Sequence, residues 1–158
     1  MYRETSPVIE SPLAAAEAIN DMLLQSWGDK IWVFPALPDE WQDVVFHDLR
    51  TEGAFLISAV RKKGKTVFIR INSLAGEKCV IKSDLQGDIK MVAERNIDIT
   101  EVKPGVLQVD INKGETVILY VGDVVPEFTI EPLEPQESLC NYFGRKKPWR
   151  LYGIPFND

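Results

Sequence analysis

The chain has 158 residues, 45% of them hydrophobic, and a formal net charge of −6, enough length and apolar content for one compact domain with a core of its own. The acidic balance argues against non-specific binding to nucleic acid or an anionic membrane, both of which depend on a basic surface. No run approaches the roughly 18 apolar residues of a membrane span, and Met1 to Ser11 lacks the apolar stretch of a secretory signal.

Ser11 followed by Pro12 is a helix start, because a serine oxygen accepts a hydrogen bond from an orphan amide while proline at the first helical position loses nothing. The periodicity predicts a helix from about Pro12 to Trp27, with Leu13, Ala16, Ile19, Leu23 and Trp27 as one apolar stripe and Gly28 as the stop. A helix this apolar needs a partner layer. Either the strands that follow or a second copy of the chain is expected to supply it, so a homodimer through the N-terminal helix is one expectation.

Ile31-Trp32-Val33-Phe34 is a short extended run, ended by a turn carrying Pro35 and Pro38. After Phe46 come short β-rich runs at 54–60, 66–71, 78–81, 88–92, 106–111, 116–121 and 128–130, punctuated by Gly64, Gly76, Gly87, Gly105, Gly114 and Gly122. Strands of this length and spacing predict a mainly β chain: an antiparallel β-sandwich preceded by one N-terminal α-helix. Arg61 to Lys65 reads as the solvated tip of a hairpin. The tail beyond Glu131, with Tyr142, Phe143, Trp149, Tyr152 and Phe156 among Arg145, Lys146, Lys147 and Arg150, is too aromatic for a solvating linker and is expected to dock on the body. A nucleic-acid role for that mixture runs against the acidic remainder of the chain.

Candidate chemistry is sparse. There is no phosphate loop, Cys-x-x-Cys pair, His-x-x-x-His pair or Gly-x-Ser-x-Gly elbow, so neither a metal nor a cofactor is expected. Cys79 and Cys140 are far apart in sequence and read chiefly as buried thiols, with a disulfide as the alternative. His47 beside Asp48 is the lone histidine and, without a nucleophile motif around it, reads as a structural or surface residue. Asp39, Glu40 and Glu127 read as solvated carboxylates.

Three segments carry a family resemblance: Met22-Leu23-Leu24-Gln25-Ser26, then Phe34-Pro35-Ala36-Leu37-Pro38-Asp39-Glu40-Trp41, then Leu49-Arg50-Thr51-Glu52-Gly53. Together they resemble family 95 glycoside hydrolases, inverting α-L-fucosidases and related enzymes, at the end of the catalytic (α/α)6 barrel and the start of the C-terminal domain. The resemblance implies that most of the catalytic machinery belongs upstream of Met1, in a parent that is commonly exported. Domain boundaries follow: residues 1–34 as the end of the barrel, 35–131 as the C-terminal β-sandwich, and 132–158 as the docking tail. Trp41 then reads as a plug between helix and sandwich, with sugar stacking as its alternative.

An inverting glycosidase needs an acid on the leaving oxygen and a base that activates water. Counting back from Met22 sets Ile9-Glu10-Ser11-Pro12-Leu13-Ala14-Ala15 on the family stretch Ile-Asp-Gly-Asn-Phe-Gly-Gly, whose aspartate assists the base. Glu10 is therefore the one candidate catalytic residue, in the context of an intact parent enzyme. Its extra methylene and the loss of the glycines change the local geometry, and a displacement of about 1 Å can cost roughly a hundredfold in rate. The expected role of the chain is a non-catalytic C-terminal accessory domain whose partners are carbohydrate or the upstream barrel. The alternative is a free-standing carbohydrate-binding sandwich, favoured if Trp41, Trp149 or Tyr152 is exposed on one concave face.

Overall fold

The computed structural model describes residues 10–129. Ala15–Ile130 forms one compact unit; Cys140, Trp149, Tyr152 and the rest of the tail lie outside the described residues. Helix α1 (Glu10–Leu23) comes first. Ten strands follow: β1 (Leu24–Trp27), β2 (Lys30–Val33), β3 (Val44–Thr51), β4 (Phe55–Lys62), β5 (Lys65–Ser73), β6 (Cys79–Lys82), β7 (Ile89–Ala93), β8 (Ile99–Lys103), β9 (Val106–Val109) and β10 (Thr116–Val121).

They form two five-stranded sheets, one in the order β1-β2-β6-β9-β8 and the other β3-β4-β5-β10-β7. Every pairing is antiparallel except β2 with β6, where Ile31 lies opposite Ile81 and Trp32 opposite Lys82. The core between the sheets follows from strand alternation. Phe55, Ile57 and Ala59 of β4 and Ile69 and Ile71 of β5 point inward from one sheet, while Ile31 and Val33 of β2 and Cys79 and Ile81 of β6 do so from the other, all in one buried cluster. This is the expected sandwich.

The helix is shorter than its periodicity suggests. Residues 24–27 pair with 30–33 as an antiparallel hairpin, from Leu24 opposite Val33 to Trp27 opposite Lys30. Its two-residue turn, Gly28 and Asp29, has positive φ at both positions (59° and 57°), the geometry that matches the twist of a tight hairpin and that glycine and aspartate tolerate. Lys63 and Gly64 repeat the device (φ 49° and 72°) between β4 and β5, at the hairpin tip read from the sequence. The described side chains of α1 are exposed as far as Asp21, with Leu13 and Ile19 at 61% and 48%. Only at Met22 and Leu23 does the helix begin to be covered, and Leu23 packs against the core.

The link from the first sheet to the second starts at Phe34. Its backbone N–H donates to the Leu23 carbonyl at 2.8 Å, and its ring meets Phe46 edge-on at 5.2 Å. Phe34 is buried at φ 53°, a left-handed conformation that costs a bulky residue on the order of 1–3 kcal/mol and is held by these contacts. It fills the joint expected for Trp41. Trp41 is instead 39% exposed, in the turn that follows Pro38. The predicted strand at 128–130 is also absent over its described part: Phe128 and Thr129 are irregular, and Phe128 lies over the outer face of the second sheet, stacked 5.6 Å from Phe68.

Candidate functional site

Glu10 is the first residue of α1 and is exposed. Negative charge at that end of a helix is favoured by the backbone dipole.

His47 and Asp48 sit in β3 where the register with β4 shifts between Phe46 and Leu49. Asp48 takes φ 49° there, a conformation that aspartate adopts more readily than most residues. The bulge aims its carboxylate at Ser58 and Arg70, its neighbours on β4 and β5. Asp48 Oδ1 accepts from Ser58 Oγ at 3.0 Å and from Arg70 Nη2 at 2.9 Å, and the Asp48 backbone N–H donates back to Ser58 Oγ at 3.0 Å. Arg70 Nη2 also lies 2.8 Å from His47 Nε2. Arginine only donates, so a bond between the two has Nε2 as its acceptor; the other ring nitrogen, Nδ1, is 3.4 Å from Asp48 Oδ2. Phe128 covers the group, 5.3 Å from the Arg70 guanidinium carbon and 5.2 Å from the imidazole. Desolvation pushes the Asp48 carboxyl up, but the hydrogen bonds from Arg70 and Ser58 outweigh it and hold its pKa below the ordinary aspartate value. With Nε2 beside Arg70 Nη2 and Nδ1 beside Asp48 Oδ2, both ring nitrogens of His47 lie within the network. This is a structural network that fastens the irregular segment after β10, through Phe128, onto the sheet.

A different character appears at the β1–β2 hairpin. Trp27 and Trp32 are diagonal neighbours on one face, stacked at 4.8 Å with planes 9° apart, and the Lys82 ammonium lies 4.3 Å from the centre of the Trp32 ring. Such a cation over an indole contributes on the order of 0.5–1 kcal/mol at an exposed site. Trp27 Nε1–H donates to Gln25 Oε1 at 3.1 Å, and Gln25 Nε2 donates to the Asp21 carbonyl at 3.0 Å, tying the indole to the end of α1. Despite these ties Trp27 is 55% exposed. Beside it runs an open groove of about 560 Å³, lined by Leu24 and Leu49 and by the polar residues Asn20, Asp21, Gln25, Ser26 and Arg50. Ser26 Oγ accepts from the Glu52 backbone N–H at 3.1 Å and so fastens β1 to the end of β3. Reading Trp27 as the end of the helix hides this site. The legible signal is Gly28-Asp29, a two-residue hairpin turn, which puts Trp27 and Trp32 on one face of neighbouring strands.

Asp39 and Glu40 are exposed in the turn before Trp41, and Glu127 is exposed after β10. Cys79 is a free thiol, fully buried, and burial pushes its pKa up to about 12; that removes the thiolate needed for nucleophilic or metal chemistry. Among the described residues no three His, Cys, Asp or Glu side chains cluster as metal ligands, and no helix is long and apolar enough to cross a membrane.

Residues 25–119 match the family described as glycoside hydrolase family 95, C-terminal domain. The match begins one residue into β1 and runs to Leu119 of β10, taking in both sheets. No curated protein matches the chain.

Proposed function

Because the chain belongs to the glycoside hydrolase family 95 C-terminal domains, we propose that it is a non-catalytic accessory domain that works against the catalytic barrel of an enzyme hydrolysing a glycosidic bond, α-L-fucosidase-like in type. The observation that supports this most is α1, whose Leu13 and Ile19 are exposed just ahead of the matched residues. A 14-residue helix is marginal in water by itself, and its stability depends on burying an apolar face. The barrel is the occupant we assign to that face. In this reading α1 belongs with the barrel, the accessory sandwich starts at β1 rather than at residue 35, since β1 and β2 pair into its first sheet, and the tail at 132–158 docks on the domain. Glu10 then stands at the barrel side, where it serves catalysis only in the intact enzyme, in the role of the carboxylate that assists the base.

The test is association. The chain is mixed with a family 95 catalytic barrel stripped of its own C-terminal domain and followed by light scattering over a dilution series. A one-to-one complex is expected, weakened by the double substitution Leu13→Asp and Ile19→Asp. A tight dimer of the chain through the same helix, indifferent to the barrel, would overturn the assignment and put a second copy on that face. Carbohydrate binding by the sandwich is a second reading, drawn from the exposure of Trp27 and Trp41.

A further inference from the structure

We infer that Trp27, backed by Trp32 and Lys82, forms with the adjoining groove a binding site for a neutral pyranose chain. The inference rests on the glycoside-hydrolase reading for its ligand class, but its geometry stands on the hairpin alone. One face of a pyranose ring carries C–H bonds that are apolar and slightly positive, so it packs on the negative face of an aromatic ring, while its edge of hydroxyl groups seeks donors and acceptors in the same plane. Trp27 offers the first element. One face rests on Trp32 and the residue is more than half exposed.

The ring is also held before any ligand arrives. Trp32 stacks beneath it, the bond from Nε1 to Gln25 fixes its rotation, and Gln25 is anchored on the Asp21 carbonyl. A fixed side chain loses little entropy on binding. The second element is the groove, whose Asn20 and Gln25 amides, Ser26 hydroxyl, Asp21 carboxylate and Arg50 guanidinium can pair with sugar hydroxyls. Its one acidic and one basic side chain balance, which favours a neutral ligand over an anionic or cationic one. A small apolar surface with a few convergent polar groups is the usual composition of a ligand site. A protein partner would instead be expected to find a wider apolar centre.

The test uses the full chain, labelled with 15N, and follows its indole N–H signals during titration with cellohexaose, xylohexaose, mannohexaose and methyl α-L-fucopyranoside. A saturable shift of the Trp27 and Trp32 signals with at least one of them is expected, with Trp41 unmoved. Trp27→Ala should lower that affinity roughly tenfold or more, and Arg50→Ala, in an exposed groove position, should lower it without disturbing the fold. If Trp27→Ala does not fold, the wild-type shifts and Arg50→Ala carry the test. No shift with any of the four probes, or a shift that neither substitution weakens, would overturn the site. A catalytic barrel that shields Trp27 from acrylamide quenching while the chain ignores every sugar would also overturn it, and would leave the accessory-domain reading intact.

Discussion

Phe34 and Trp41 show how two aromatic side chains in one turn motif divide their roles. Truncating a buried aromatic costs about 3–5 kcal/mol, so Phe34→Ala should lower the urea midpoint steeply, whereas Trp41→Ala, on an exposed ring, should stay within about 1 kcal/mol of the parent. The motif announces a turn but not which ring turns inward, because that choice depends on the left-handed backbone at Phe34 and on Phe46 across the joint. Titration separates two carboxylates in the same way. Asp48 is held below its ordinary value of 3.8, and Glu115 is held down at about 2 by the hydrogen bond from Arg95 and then by the backbone N–H of Asn112. Both pKa values are depressed on folding, so each group's contribution to stability is complete above its unfolded value and is lost as pH falls through the folded one. For Glu115 the window runs from about 4.5 down to about 2. Carbon-13 titration of the side chains should give a Glu115 midpoint near 2 and an Asp48 midpoint under 3.8. Asp48→Asn keeps the bulge geometry, since asparagine tolerates positive φ, and should cost about 1 kcal/mol at neutral pH while flattening that part of the acid limb.

At the scale of elements, most strands are legible because alternation and glycine punctuation coincide, as in Phe55–Lys62 and Lys65–Ser73 around the Lys63-Gly64 turn. Three strands are hidden for separate reasons. In β1 the apolar residues Leu23, Leu24 and Trp27 extend a helical period, and only tertiary pairing with β2 overrides it. In β3 the bulge at Asp48 breaks the alternation that would mark a strand. Exposed β8, with the pattern Ile-Thr-Glu-Val-Lys, lies at a sheet edge and carries little apolar signal. The parallel pairing of β2 with β6 is not written in either strand, since it joins residues some fifty positions apart. The hairpin turn can be tested directly: Gly28→Val places a β-branched side chain at φ 59°. Nothing crowds a Cβ there, so the loss reports backbone strain alone, on the order of 1–2 kcal/mol. Thermal melting of that variant against Asp29→Gly, which relieves the turn and should not destabilise it, isolates the effect.

Among the described residues the two sheets close over one core, and Cys79 reports on its integrity. In a Cys140→Ala background the remaining thiol should resist a thiol reagent at pH 8 under native conditions and react fully in denaturant, because burial keeps it protonated. The family was legible from Met22-Leu23-Leu24-Gln25-Ser26 and the proline turn, and the match across residues 25–119 carries it through both sheets. The aromatic site was not, because it depends on which strand Trp27 joins and which face it shares with Trp32. If the sandwich, as proposed, supports a glycosidase without performing the reaction, the isolated chain turns over no substrate. Incubated with a panel of aryl glycosides that includes the α-L-fucoside, the chain should release no aglycone above the buffer rate, with wild type and Glu10→Gln indistinguishable. Release by the wild type that Glu10→Gln abolishes would contradict the account and make the chain an enzyme in its own right.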